Sequence, residues 1–208
     1  MTPDLIPIFV SAFATLFVVI DPPGCAPIFA GLTQGASAQH RRAMAVRSVL
    51  VAGGILLAFA LFGKPFLKAL GVGLPAFKIA GGIMLFLIAL DMVFEKRTAR
   101  RENRAEEVAA QKPDDISVFP MGIPMIAGPG SIASAMLLTS RATGWFERGA
   151  VLAALALVLL LTMVALLAAG PLMRFLGTKL EAMITRVLGV ILAALASQFV
   201  IDGIRASF

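Results

Sequence analysis

The chain has 208 residues, 59% hydrophobic and 14% charged, with a formal net charge of +6 and a mean hydropathy of +0.94. Soluble domains run near ~25% charged, so the composition excludes an ordinary soluble domain and points to a membrane protein. The positive balance does not point to nucleic acid, because the basic residues sit in short loops between apolar runs rather than along one solvated face.

A helix needs about 20 apolar residues to span a bilayer. In chain order, residues 5–34 form the first such segment, with Asp21 as its only charge. Residues 43–63 form the second, with Arg47 close enough to one end to snorkel. The third is 74–94, in which Lys78 and Asp91 bracket an uncharged centre. Residues 95–115, EKRTARRENRAEEVAAQKPDD, read as a solvated, partly helical cytoplasmic linker. The fourth, fifth and sixth segments are 116–141, 149–173 and 183–203. These segments predict an all-α integral membrane protein with six transmembrane helices. Of the 18 Lys and Arg residues, twelve fall in the loops after crossings one, three and five, and six on the other side. With the richer side cytoplasmic, the protein is expected in the plasma membrane with both termini outside the cytoplasm. No basic residue precedes Arg41 and no small-residue cleavage site follows a short apolar core, so no cleavable signal peptide is expected.

The chain also resembles itself. Between 17–71 and 123–177, 11 of 55 positions are identical, including Pro23-Gly24 with Pro129-Gly130, Arg42 with Arg148, and Pro65 with Pro171. With two more residues inserted, Lys78 pairs with Arg186 and Gly81 with Gly189. Residues 1–94 and 116–208 thus read as two repeats. Each holds an odd number of crossings, so the second enters the membrane inverted, as in many secondary transporters.

Helices one and four are interrupted at corresponding places, by DPPG at 21–24 and AGPG at 127–130. Both interruptions fall at the middle of their segments, near the midplane of the bilayer. A proline in a helix interior costs about 3 kcal/mol, and a central acid about 2.5–3.5 kcal/mol on insertion scales. Broken backbone is tolerated at depth where it is buried in protein or lines a wet cavity. The half-helices starting near Cys25 and Ser131 are expected to aim unpaired N–H groups inward, and those ending near Ile20 and Ile126 to offer carbonyls. Such a cavity suits a small zwitterion. The candidate substrate- and ion-binding residues are Asp21, Pro22, Pro23, Gly24, Cys25, Gly128, Pro129, Gly130 and Ser131, with Lys78 and Arg186 as repeat-related cations. Asp21 before Pro22 is also an ordinary helix N-cap, and the sequence leaves capping alone and capping plus proton coupling both open. Asp91 and Asp202, near helix ends, are expected to face water.

Cys25 is the only cysteine and His40 the only histidine, so no intramolecular disulfide or thiolate zinc cluster can be built, and neither metal nor cofactor is expected. HExxH, G-x-S-x-G and P-loop patterns are absent, so the sequence does not read as an enzyme or an ATP-driven pump.

The motifs DPPGCAPIF, FKIAGGIMLFLIAL, FPMGIPMIAGPGSI and ITRVLGVILAALASQFVIDGI together resemble the MarC family of bacterial inner-membrane proteins. The resemblance implies a six-helix inner-membrane protein grouped with transporters of small neutral amino acids. It carries over to Asp21, Pro22 and Gly24, to Ala127 through Gly130, and to Thr185, Arg186 and Gly189. Lys78 stands where the family has arginine, which removes a bidentate donor, and Cys25 differs from the family's usual residue. The expected function is transport of glycine, alanine, serine or threonine, with protons as the coupling partner. The alternatives are an exporter or channel for another small metabolite, or a membrane protein without transport activity. The apolar helix faces suit a monomer or a homo-oligomer equally.

Overall fold

The computed structural model describes residues 5–94 and 115–208, with 96, 100, 101, 103 and 107 of the segment between them; the side chains of 172–182 lie outside the description. The remainder of the 95–115 linker and residues 1–4, which the sequence assigns to the first repeat, are also outside it.

The described residues form helices and connecting turns, with no strand among them. Helix α1 is Leu5–Ile20, and α2 is Pro22–Leu32. Helix α3, Ala38–Ala69, overruns the apolar stretch 43–63 at both ends. Its polar start is held by Ser37, whose hydroxyl accepts from the His40 N–H at 3.2 Å. Gly71 turns the chain at φ 71, which a side chain rarely adopts, and α4 follows as Leu74–Val93 with Pro75 in its first turn. The segment α5, Ser117–Ile126, is a π-type helix broken by extended residues at Phe119 and Ile123, each before a proline. Helix α6 is Pro129–Arg141, bent 55° from α5.

Helix α7, Trp145–Leu167, stops before the sequence-based boundary at 173. Apolarity alone runs through to Met173, but Pro171 has no N–H to offer the Leu167 carbonyl, so the chain turns at Ala168. Helix α8, Ala169–Arg205, follows, and its apolar part is Met183–Arg205. Among the described residues, five helical stretches are long and apolar enough to cross a membrane, with α1 and α2 counted together, or six when α5 and α6 are one bent span.

Small residues set the packing. Helices α4 and α8 run antiparallel in close contact: a Cβ on Gly82 would lie 2.7 Å from Val200 Cγ2 and 2.9 Å from the Ala196 carbonyl, and one on Gly189 would lie 2.9 Å from Met92 Cβ. This is the close backbone approach that glycines allow between membrane helices. Helices α1 and α2 pack on α7, while α5 and α6 pack on α3. Leu16, Ile20, Phe29, Ile126 and Leu137 are fully buried between them. Outward faces carry Leu50, Phe62, Phe66, Leu87, Leu160 and Val187, all exposed, as a lipid-facing surface requires.

The start of α5 is pinned at Asp115. Its carboxylate accepts the Ser117 N–H at 2.8 Å and pairs with Arg47 of α3 at 2.6 Å. The Ser117 hydroxyl first, then the Ser117 N–H and Arg47, hold the Asp115 carboxyl below its ordinary 3.8 against partial burial.

Two outcomes are expected. Gly82→Ala should destabilise the protein by about 1–3 kcal/mol through overpacking, whereas Gly54→Ala, with nothing within 4 Å of its Cβ, should not; unfolding in detergent checks both. Because the folded carboxyl of Asp115 is depressed, its contribution is present above pH 3.8 and lost as pH falls through the folded value. The Tm advantage of the native protein over Asp115→Asn should therefore shrink below that pH.

Candidate functional site

Asp21 is the hinge between α1 and α2, with φ 61 and ψ 67. A left-handed residue other than glycine costs on the order of 1 kcal/mol, and aspartate tolerates it better than most. The helical bonds around it survive: its N–H donates to the Phe17 carbonyl at 2.9 Å, and its carbonyl accepts from Cys25 at 3.0 Å. Its Oδ1 accepts the Gly24 N–H at 3.1 Å, and a Cβ on Gly24 would sit 2.8 Å from the Asp21 carboxyl carbon. Asp21 is thus an N-cap, and Gly24 leaves room for it.

This geometry overturns one expectation. The first break presents no unpaired N–H groups, because Pro22 and Pro23 have none and Asp21 takes that of Gly24. The half-helix begins at Pro22, and Cys25 lies within it, fully buried, its thiol directed at the Ile20 carbonyl 3.5 Å away.

The second break does supply donors. Gly128 is extended, Ile132 donates to its carbonyl at 3.0 Å, and no side chain caps the first turn of α6. The N–H groups of Gly130 and Ser131 sit at the positive end of the helix dipole. Steric fit fixes the glycines: a Cβ on Gly128 would lie 2.5 Å from the Pro124 carbonyl oxygen, and one on Gly130 would overlap the end of the Ile88 side chain and crowd Val19 at 3.3 Å.

Arg101 joins the two breaks. Its Nη1 pairs with Asp21 Oδ2 at 3.1 Å, and its Nη2 donates to the Met125 carbonyl at 3.4 Å. The Asp21 side chain is 3% exposed and that of Arg101 13%, so the pair is largely withdrawn from solvent. Beside it lies a cavity of about 180 Å³ lined by Val19 and by Ile88 and Asp91 of α4, with Arg100, Arg101, Pro124, Met125 and Gly128 through Ser131. Asp91 pairs with Arg100 at 2.8 Å on the rim. The cavity therefore has a cationic wall of Arg101 and the α6 N-terminus, and on another side the carboxylate of Asp91 paired with Arg100.

Of the residues singled out in the sequence, Gly128, Pro129, Gly130 and Ser131 line this cavity. Asp21 reaches it through Arg101, while Pro22, Pro23, Gly24 and Cys25 stand behind Asp21 and do not line it. Lys78 and Arg186 do not line it either: Lys78 is near the start of α4, far from Asp91, and Arg186 is exposed on α8. Asp91 lines the cavity, where it is partly exposed and pairs with the largely exposed Arg100. Asp202, by contrast, is half-buried against Arg141 and Gln198 at another end of the fold. Arg100 and Arg101 were hidden in the charge run, where nothing local separates a buried arginine from its solvated neighbours. A further polar group lies deeper along α6: the Ser134 hydroxyl is fully buried and has no hydrogen-bond partner among the described residues.

A membrane protein, all-helical among the described residues, with five or six stretches apolar enough to span and a small charged cavity beside Asp21 and the start of α6, is the class defined by this fold and site. The chain belongs to the MarC family: the sequence profile described as "MarC family integral membrane protein" matches residues 6–208. It is 40% identical to a UPF0056 membrane protein of Methanocaldococcus jannaschii, over 96% of this chain and 97% of the relative. Identity is 34% to the UPF0056 membrane protein YvbG of Bacillus subtilis, over 96% and 95% of the two chains. It is also 34% to the UPF0056 inner membrane protein YhgN of Escherichia coli K12, over 94% and 95%. No solved structure matches this chain.

Asp21→Asn keeps a cap acceptor but leaves Arg101 without its counter-charge, and should lower stability by about 3 kcal/mol. Asp21→Ala should cost about 1 kcal/mol more by losing the cap. In denaturant unfolding, Asp21→Asn combined with Arg101→Gln should recover part of the loss, which independent sites would not do.

Proposed function

We propose that the protein is a carrier, not an enzyme, for small neutral amino acids, from glycine to threonine in size, coupled to protons through Asp21. The observation that carries this is the cavity of about 180 Å³ with cationic and acidic walls at the meeting of the two breaks. Drug-sized ligands occupy pockets of about 300–1,000 Å³, so the size favours a small solute over a large one. A substrate carboxylate would meet Arg101 and the N–H groups of Gly130 and Ser131, and its ammonium would meet Asp91. Protonation of Asp21 would remove the charge that draws Arg101 away from the substrate, which links proton and solute. Ser134 marks a polar step further along α6.

The inverted-repeat organisation, with both breaks near the midplane, is part of the proposal. Exchanging the halves turns the α1–α7 contact into the α5–α3 contact and the α2–α7 contact into the α6–α3 contact, and all four exist. The α4–α8 seam also maps roughly onto itself: Gly82 against Val200 becomes Val190 against Met92, and Gly189 meets Met92. We place the protein in the inner membrane, where the name of the relative YhgN places that protein, with both termini outside the cytoplasm. The cavity then opens toward the cytoplasmic linker that supplies Arg101.

Radiolabelled alanine flux into proteoliposomes under an imposed pH gradient tests the proposal. Saturable, gradient-driven uptake is expected, with Asp21→Asn losing the pH dependence and Arg101→Gln raising KM at least tenfold. Flux no higher than in empty liposomes, or native flux with native pH dependence in Asp21→Asn, would overturn it.

A further inference from the structure

A second cavity, of about 460 Å³, lies at the other end of α6, between the last turns of α3 and the first turns of α7. From Ser131 to Thr139, which lines it, α6 rises about 12 Å, so this cavity is separate from the solute site. Its upper wall is cationic. Lys64 and Lys68, one turn apart on α3, face it together with Arg148 of α7, and no acidic residue lines it. None of the three is in an ion pair with a described residue.

That arrangement has a cost on its own. Like charges four residues apart on a helix repel, and here a third cation closes on the pair. Lys and Arg are also scarce on this side of the membrane. Only six of the 18 fall there by sequence, and three of those six line this one cavity. An anion seated between them would relieve the repulsion.

The lower wall says which anion. Ala60, Leu61 and Leu152 continue the cavity downward as an apolar surface, and Leu61 is 49% exposed toward the lipid-facing side. Trp145 and Phe146, 85% and 75% exposed, stand one turn before Arg148, where aromatic residues mark the water–lipid boundary. A free phosphate would use only the cationic half. A phospholipid would use both halves, with its phosphate among the cations and an acyl chain along Leu61 and Leu152.

We infer that the cavity at Lys64, Lys68 and Arg148 is a binding site for the headgroup of an anionic phospholipid. Such basic pockets between membrane helices are a known solution for anionic headgroups.

The full-length protein in detergent is titrated with phosphatidylglycerol, with phosphatidylcholine, and with inorganic phosphate, and thermal stability is read. Phosphatidylglycerol is expected to raise Tm saturably, phosphatidylcholine and inorganic phosphate much less. Each charge removed in Lys64→Gln, Lys68→Gln and Arg148→Gln should weaken the apparent affinity by about fivefold, while Lys64→Arg and Lys68→Arg retain it. Equal shifts by the two lipids in the native protein would overturn the inference without recourse to any variant. So would inorganic phosphate matching phosphatidylglycerol, which would assign the cavity to a free anion, or a triple Gln variant that folds and keeps the native lipid shift.

Discussion

The Asp21–Arg101 pair is the interaction on which the rest of the site depends. Asp21 is required locally as the cap of α2, in a left-handed conformation that its own side chain makes tolerable. Capping uses one carboxylate oxygen and leaves the other, with the full charge, buried among apolar helices. A charge so placed needs a partner, and Arg101 is that partner. The arginine is shared with the Met125 carbonyl at the end of α5, so one guanidinium satisfies the first break and latches it to the second.

That latch explains why the two breaks, alike in sequence, differ in chemistry. The first is spent on itself: prolines remove two of its N–H groups and Asp21 takes the next. The second has Ala127 where the first has its acid and Gly128 as its N-cap, so its helix start has no side-chain cap. One break thus contributes charge and the other contributes donors, and the cavity forms where Arg101 brings them together. The pair itself need not add net stability, since desolvation offsets most of the attraction between buried ions. Its consequence is geometric, because losing either partner strands a charge.

The spans were legible in the sequence because apolar length is a local property, and Asp21 and the AGPG run stood out because proline and aspartate are conspicuous in apolar runs. The absence of donors at the first break was also written in Pro22 and Pro23, but it becomes plain only once the helix is seen to begin at Pro22 rather than near Cys25. Hydropathy placed the end of the fifth span beyond Pro171, although the missing N–H of that proline ends the helix sooner. Pro120 and Pro124 lack the N–H groups a regular helix needs, but that lack does not specify the π-type form of α5. Arg101 was not legible at all. In EKRTARRENR every cation has the same neighbours, and only the tertiary position of Asp21 singles one out. The place of Asp91 in the cavity wall was not legible for the same reason, since a helix end can line a cavity as well as face water.

The central claim is that Arg101 leaves the charged linker to pair directly with Asp21 inside the helical bundle. Solid-state NMR on lipid-reconstituted protein, with labels on the arginine guanidinium and aspartate carboxyl groups and assignment by Arg101→Lys and Asp21→Asn, measures it directly. A dipolar coupling between Arg101 and Asp21 consistent with an N–O separation of 3.1 Å, and slow solvent exchange of the guanidinium protons, is the predicted result. An Arg101 side chain that shows no coupling to Asp21 and exchanges freely with water would contradict it.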